Sequence, residues 1–143
     1  MNNSTRDYQR SRVYRWEHSE WWWADHFRTP GKEPELSLDD MSRLAVDITG
    51  VRVTVKDGRG RRNAAGSYHS KTIWMPRWAR TVPVLCHELA HVHTHTRDGG
   101  GHGPWFVAKY CRFLERAGIV GSARVTRMSA IDFGLDVRPL RWV

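Results

Sequence analysis

Apolar side chains recur at helical spacing near the start of the chain, and this pattern predicts a helix over residues 7–27. Val13, Trp16, Trp23 and Phe27 share one face, and neither proline nor glycine interrupts the stretch. The three consecutive tryptophans 21–23 span more than half of the helix circumference, so at least one ring must face away from the main core. We expect that ring to pack under a neighbouring loop, with a partner-binding or base-stacking surface as the alternative.

A second helix is predicted after the turn-rich residues 29–35. Ser37 is a suitable N-cap, Asp39 and Asp40 would lie in the first turn, and Gly50 follows the last periodic residue. The apolar face of this helix is formed by Leu38, Met41, Ala45 and Ile48.

Alternation of apolar and polar residues predicts strands in the next part of the chain. Val51, Val53 and Val55 alternate with polar residues and are followed by Asp57-Gly58, which indicates a half-buried strand leading into a hairpin. Residues 64–75 should hold one or two further strands, the last of them ending at Met75.

Two more amphipathic helices are predicted in the second half of the chain. Thr81 can cap the first, and Pro83 lies in its first turn, where a missing amide hydrogen costs little. The second begins after Gly103-Pro104 and stops at Gly118. Their apolar faces are, respectively, Val82, Leu85, Leu89 and Val92, and Phe106, Tyr110, Phe113, Leu114 and Ala117.

The C-terminal residues 122–143 are interpreted as packing material. Another helix should begin near Ser122, with Val125, Met128 and Asp132 on one face, and the end of the chain should be irregular. Met128 is expected to fill the core.

Length and composition indicate one small domain spanning residues 1–143, with residues 1–6 as a flexible tail. The first residues are polar without a hydrophobic segment behind them, and only two cysteines occur, so we expect a cytoplasmic protein without membrane association. The net charge of +8 permits contacts with nucleic acid but does not establish them.

The third of these helices carries the candidate chemistry. It contains HELAH at residues 87–91, within a stretch that holds five of the eight histidines of the chain. His87 and His91 are one turn apart on the face opposite the apolar residues, so their imidazoles can converge on one tetrahedral ion. Glu88 lies beside them and need not be a ligand. This is the HExxH arrangement, whose usual meaning is a catalytic zinc with the glutamate as general base.

A zinc site of this kind needs a third protein ligand and leaves a fourth position for water. His95 is a further full turn along the helix and is too distant, and His93 points toward the apolar side. Glu115 would project from nearly the opposite side of its helix from the apolar face and is expected to be solvated. His102 follows a glycine-rich stretch that can turn the chain back, so we choose His102 as the third ligand and keep Glu115 as its rival.

HELAH, a ten-residue gap and then HGPWF resemble the HExxH and downstream HG motif of the SprT-like zinc metallopeptidases and their compact zincin relatives. Together with QRSRVYRWE near the start, they are similar more narrowly to a small actinobacterial family of metallohydrolases. The resemblance covers residues 6–17 and 81–106. It assigns His87, His91 and His102 as ligands of one Zn²⁺ and Glu88 as the catalytic acid-base.

The resemblance also implies a fold of the α+β class. Such a zincin-like core has a small mixed β-sheet, an N-terminal helix, the active-site helix and a following helix. In such folds an edge strand before the active-site helix holds an extended peptide by main-chain pairing, which here would be the segment containing Ile73, Trp74 and Met75. This chain lacks the C-terminal zinc ribbon of the SprT proteins, so the resemblance gives little support for DNA-dependent activity.

Three functional interpretations follow. The first is a zinc peptidase that uses an activated water with Glu88 as general base, and the second is a zinc hydrolase of another amide or ester. The third is a basic, possibly nucleic-acid-binding module with a structural or inactive zinc site.

The sequence does not assign two roles in the site, the oxyanion stabiliser and the acidic partners of the ligand imidazoles. Tyr68, Tyr110, His93 or an arginine could stabilise the oxyanion, and Asp98 and Asp132 are the nearest acidic candidates to support the ligand imidazoles.

Overall fold

The computed structural model describes residues 7–19, 36–99 and 101–143. Within these residues the fold is α+β, with five α-helices and a small three-stranded mixed sheet. The α-helices are α1 (Arg10–Ser19), α2 (Leu38–Thr49), α3 (Val82–Asp98), α4 (Pro104–Arg116) and α5 (Ala123–Asp132), the strands are β1 (Thr54–Asp57), β2 (Ala65–Ser67) and β3 (Thr72–Met75), and short 3-10 turns cover Arg77–Ala79 and Leu140–Trp142.

The sheet has the order β1-β3-β2, with β1 parallel and β2 antiparallel to β3. The predicted hairpin after β1 is therefore wrong, since β3 lies between β1 and β2. At Gly58 the backbone passes so close to β3 that an added β-carbon would be 2.6 Å from the Pro76 nitrogen. The Gly58 amide donates to the Met75 carbonyl (3.1 Å), which holds the end of β1 beside β3 instead of turning it toward β2.

The central position of β3 also corrects the expected substrate-binding strand. Ile73, Trp74 and Met75 pair with β1, and Ile73 and Trp74 pair with β2 as well, so β3 is not an edge strand. Among the described residues, β2 is the edge strand beside α3. A β-carbon added at Gly66 would be 3.0 Å from the Val92 side chain and 3.6 Å from the Glu88 carbonyl oxygen. Strand β2 and helix α3 are therefore in close contact at Gly66, Glu88 and Val92.

Helix α1 is described as far as Ser19, and the remainder of the predicted helix, including the tryptophans 21–23 and Phe27, lies outside the described residues. Val13 and Trp16 are fully buried, as their spacing predicts. The Trp16 ring packs edge-on against Tyr110 at 6.2 Å between ring centroids. This contact fixes one face of α1 against α4.

Helix α2 is formed by the signals identified in its sequence. The Ser37 hydroxyl accepts a hydrogen bond from the Asp40 amide at 3.0 Å, and Gly50 adopts the left-handed conformation (φ 74°) that ends the helix. Three of its four predicted apolar residues are buried in the common core: Met41, Ala45 and Ile48.

Helices α3 and α4 form the centre of the molecule and pack against each other along their apolar faces. In the link between them, Gly101 and Gly103 lie close to Asp98. The Asp98 carboxylate accepts hydrogen bonds from the Trp105 and Phe106 amides and so caps α4. A β-carbon at Gly103 would lie 2.6 Å from the Asp98 carboxyl carbon, so a larger residue there would displace the carboxylate that caps α4. This geometry sets the position of His102 relative to α3.

Helix α5 differs from its predicted packing. Met128 is 55% exposed and Val125 is 64% exposed, so Met128 does not fill the core. Helix α5 buries its small face instead, through Ala123, Thr126 and Ala130. None of the described helices combines the length and the apolar character required to cross a lipid bilayer.

Candidate metal centre

Three imidazoles converge at one point between α3 and the loop before α4. The Nε2 atom of His87 lies 3.2 Å from that of His91 and 3.2 Å from that of His102, and the His91 and His102 Nε2 atoms are 3.1 Å apart. These three side chains form a group that could hold a metal ion. His87 and His91 are held together by one turn of α3, whereas His102 is brought in by the link to α4.

The position of His87 is fixed by a buried carboxylate from α1. Glu17 is 2% exposed, and its Oε2 lies 2.9 Å from His87 Nδ1. The same oxygen accepts a hydrogen bond from the Tyr110 hydroxyl at 2.6 Å. A carboxylate can only accept, so the Nδ1 of His87 carries a proton and its Nε2 faces the other two imidazoles.

His102 has an equivalent support from the start of the described chain. Asp7 accepts from the His102 amide at 2.8 Å and lies 3.0 Å from its Nδ1. The Gln9 side chain, which is fully buried, donates to the His102 carbonyl at 2.9 Å. Asp7 therefore orients the ring of His102, and Gln9 fixes its backbone, so α1 and the residues before it hold two of the three imidazoles.

His91 is supported in a different way. Its ring stacks on Phe106 at 4.3 Å between centroids, and the same phenyl ring lies 4.9 Å from both His87 and His102. The buried Nδ1 of His91 faces the Gly101 carbonyl without a well-formed hydrogen bond in the described part of the chain. The apolar ring of Phe106 therefore packs against all three imidazoles.

The electrostatics of the cluster favour neutral imidazoles at two of the three positions. Burial, together with the neighbouring imidazoles, holds the pKa of His91 well below its ordinary value and also lowers the pKa of His102. Burial acts in the same direction on His87, but the Glu17 carboxylate outweighs it and raises the pKa of His87. The attraction to His87 outweighs burial in Glu17 and lowers the pKa of that carboxyl. Of the three imidazoles, His87 beside Glu17 is therefore the one whose surroundings favour the protonated form.

The geometry fits a tetrahedral metal ion. Metal–nitrogen distances of about 2.0–2.1 Å separate the ligand nitrogens of a tetrahedral zinc by about 3.3–3.4 Å. The observed 3.1–3.2 Å is close to this value. Carboxylates that accept from Nδ1 also resemble the partners that zinc-binding histidines usually have.

Glu88 lies next to the cluster and borders two cavities. It is 9% exposed, and burial raises the pKa of its carboxyl. The larger cavity, of about 470 Å³, extends from Glu88 between α1 and the segment before β2, where Tyr14, Ala64 and Trp78 line it. The smaller one, of about 200 Å³, lies on the other side of Glu88 against Tyr68 and His95. The two cavities share Glu88 as a lining residue and also have lining residues in or next to β2, and together they are called the cleft here.

A third cavity has no connection with this chemistry. Its volume is about 500 Å³, and it lies between α2 and β1, where Arg43, Asp47 and Arg52 line it. None of the converging histidines lines this cavity, so it is not part of the candidate metal centre.

The rival ligands lie elsewhere. The Glu115 carboxylate accepts from the Ala123 amide at 2.9 Å and so caps α5, where its side chain is 37% exposed. His93 Nδ1 lies 2.9 Å from the Leu89 carbonyl, with its ring against Phe113. His95 stacks on Tyr68 at 5.1 Å between centroids, one turn beyond His91. Of the weighed candidates for a third ligand, only His102 joins the pair on α3.

The acidic residues that support the cluster were not found from the sequence. Asp98 caps α4, and Asp132 is exposed at the end of α5, so neither supports a ligand imidazole. Glu17 and Asp7 take that role. One signal could have found Glu17, because it is a charged residue four positions after Val13, close to the apolar face of an amphipathic helix.

Comparison with known proteins yields no relative. No family model matches the chain, and neither a curated protein nor a solved structure is detectably similar to it. The SprT-like and zincin resemblance rests therefore on the motif residues of this chain.

Proposed function

We propose that this protein is a zinc-dependent hydrolase of the compact zincin type, and most specifically a peptidase. The observation that carries the proposal is the convergence of three imidazole Nε2 atoms within 3.2 Å of one another beside a buried glutamate that borders a cleft. Three imidazoles and an open fourth position are the arrangement of catalytic zinc sites, and an all-nitrogen tetrahedral donor set suits zinc.

His87, His91 and His102 would hold the ion. When bound, zinc supplies an acidified water and polarises a carbonyl group. Glu88 accepts the proton of the attacking water and passes it to the leaving amine. Glu17 and Asp7 keep the Nδ1 protons in place and so keep each Nε2 directed at the ion.

An intact Glu88 favours a catalytic over a structural site. A structural zinc site is closed by four protein ligands, and a carboxylate beside it has no purpose. Here Glu88 borders both cavities, so a substrate can reach it from either side.

We infer that the substrate lies extended along β2, which replaces β3 as the strand expected to bind it. Strand β2 has its partner on one side only among the described strands. Residues within it or next to it line the cleft, with Asn63 and Ala64 at the larger cavity and Gly66 and Tyr68 at the smaller one. Main-chain pairing at such an edge binds a peptide with little demand on its sequence. The free thiols of Cys86 and Cys111 suit a reducing compartment such as the cytoplasm.

The test combines metal content with proteolysis. Zinc should copurify at about one ion per chain, and casein should be cleaved by the zinc-loaded protein but not after chelation. Glu88→Gln should keep the metal and lose at least about 100-fold in activity, whereas Glu115→Gln, on the surface of α4, should match the wild type. Metal-free wild type, or full activity in Glu88→Gln, would remove the proposal.

A further inference from the structure

The side chain of Tyr14 lies against two of the three converging imidazoles. Its ring is parallel to that of His87, with 5.8 Å between centroids and 9° between planes. It meets the ring of His102 edge-on at 5.2 Å. Tyr14 is nevertheless 38% exposed, so one part of the side chain covers the cluster and another faces solvent.

The exposed part of Tyr14 faces the larger cavity beside Glu88. The wall formed by α1 contributes Arg10 and Tyr14, and the opposite wall contains Ala64 and Trp78. A peptide on the edge of β2 would therefore have Tyr14 across the cleft from it. A group on that side can reach a carbonyl oxygen that points away from the strand.

The hydroxyl of Tyr14 is also held in a state suited to donate. Arg10, one turn earlier on α1, lies beside the Tyr14 side chain, with its guanidinium carbon 5.7 Å from the ring centroid. A guanidinium has no acceptor, so Arg10 does not compete for the phenol hydrogen, which is left for an acceptor such as an oxyanion.

The tyrosines and the histidine proposed from the sequence are less suitable. The Tyr110 hydroxyl donates to Glu17 and is fully buried, and His93 lies on the side of α3 that faces Phe113. Tyr68 stacks on His95 at the smaller cavity.

We propose that Tyr14 is a catalytic residue that donates a hydrogen bond to the oxyanion formed on the substrate carbonyl, with Arg10 as the positioning residue of its side chain. The inference rests on the proposed hydrolase function. Water attacks the carbonyl carbon, Glu88 takes the water proton, and the carbonyl π electrons move to the oxygen, where Tyr14 donates without losing its proton. The C–N bond then breaks, and the proton on Glu88 goes to the departing nitrogen.

The test compares three tyrosine-to-phenylalanine variants in the zinc-loaded full chain. Tyr14→Phe should lower kcat by about 100-fold with little change in KM, since one preformed oxyanion donor contributes a factor of this order. It should also weaken binding of a phosphonamidate peptide, which mimics the tetrahedral oxyanion, by a similar factor. Tyr8→Phe, just before α1, is the matched control and should stay within about twofold of the wild type. Tyr68→Phe tests the rival at the smaller cavity, and its kcat should fall far less than that of Tyr14→Phe.

A second variant tests the role of Tyr14 even if Tyr14→Phe fails to fold. Arg10 is exposed, so Arg10→Gln should fold normally and keep its zinc, and it should show a smaller loss of kcat, about five- to tenfold. If the wild type is active and both Tyr14→Phe and Arg10→Gln keep its kcat and its phosphonamidate affinity, the role of Tyr14 is refuted while the proposed hydrolase function is not. A large loss in Tyr68→Phe instead would transfer the role to that residue. A wild type that binds zinc but cleaves no peptide would refute the proposed function and this inference together.

Discussion

Replacement of Glu17 by glutamine tests whether the buried carboxylate tunes the metal centre. Glu17→Gln keeps the shape of the side chain and an oxygen that can accept from His87 Nδ1, while it removes the negative charge. The wild-type carboxylate makes two short contacts, 2.9 Å to His87 and 2.6 Å to Tyr110, at 2% exposure. Little solvent screening is therefore available to reduce the effect of the lost charge.

The expected magnitude follows from the role of such partners in zinc sites. Loss of a carboxylate that accepts from a ligand histidine lowers metal affinity by about 10- to 100-fold. At a fixed zinc concentration well above Kd, a 30-fold loss reduces the metal-dependent part of the stability by about 2 kcal/mol. Relative to the wild type in the same form, the Tm of zinc-loaded Glu17→Gln should therefore fall by several degrees more than the Tm of apo Glu17→Gln.

The assay is a competition between the protein and a chromophoric chelator, with thermal unfolding measured in parallel on apo and zinc-loaded samples. Asp7→Asn gives a graded comparison, because the Asp7 side chain is 31% exposed and should have a smaller effect on affinity. Glu115→Gln is the control for loss of a charge remote from the site. Zinc affinity in Glu17→Gln within about twofold of the wild type would refute the reasoning that this buried charge supports His87.

Three further outcomes follow from the structure. Gly103→Ala would bring a β-carbon within 2.6 Å of the Asp98 carboxyl, so we expect about 1–3 kcal/mol of destabilisation and weaker zinc binding, measured by denaturant unfolding and chelator competition; a neutral effect on both would contradict the close fit. Burial raises the pKa of Cys111 to about 12, so this thiol should react with a disulfide reagent only as the protein unfolds. A fast phase of that reaction in the native protein would contradict the burial of Cys111. Because Glu17 raises the pKa of His87, we expect zinc binding to release a proton from that ring, so zinc affinity should rise with pH. Calorimetry in buffers of different ionisation enthalpy should detect this proton release, and a zinc affinity that does not change with pH would contradict the prediction.

The same pKa shifts give a sign for the stability of the apo protein. The folded-state pKa of Glu17 lies below 4.5, so its contribution is present above that pH and is lost as pH falls. The folded-state pKa of His87 lies above 6.5, so its contribution is complete below that pH and is lost as pH rises through the raised value. The pair should therefore stabilise the apo protein most between about pH 4.5 and 6.5, which equilibrium unfolding across this range can measure.

Helix-local features were readable from the sequence because their geometry depends on neighbouring residues alone. One turn of α3 places His87 and His91 on a common face wherever that helix lies, and the Ser37 cap and the left-handed Gly50 end α2 by contacts within a few residues. The same local reasoning failed at Met128, since which face of α5 is buried depends on the shape of the surface it meets.

The sequence by itself determined the helices, the two histidines of α3 and the chemistry that their spacing permits. Only the tertiary structure decided the strand order that makes β2 the edge beside the cleft, and the partners that join the site from far along the chain: Glu17 lies 70 residues before His87, and Asp7 lies 95 residues before His102. The physical reason is that a helix fixes the relative positions of residues three or four apart through its own hydrogen bonds. Contacts across such separations depend instead on how whole elements pack, and no local periodicity encodes that choice.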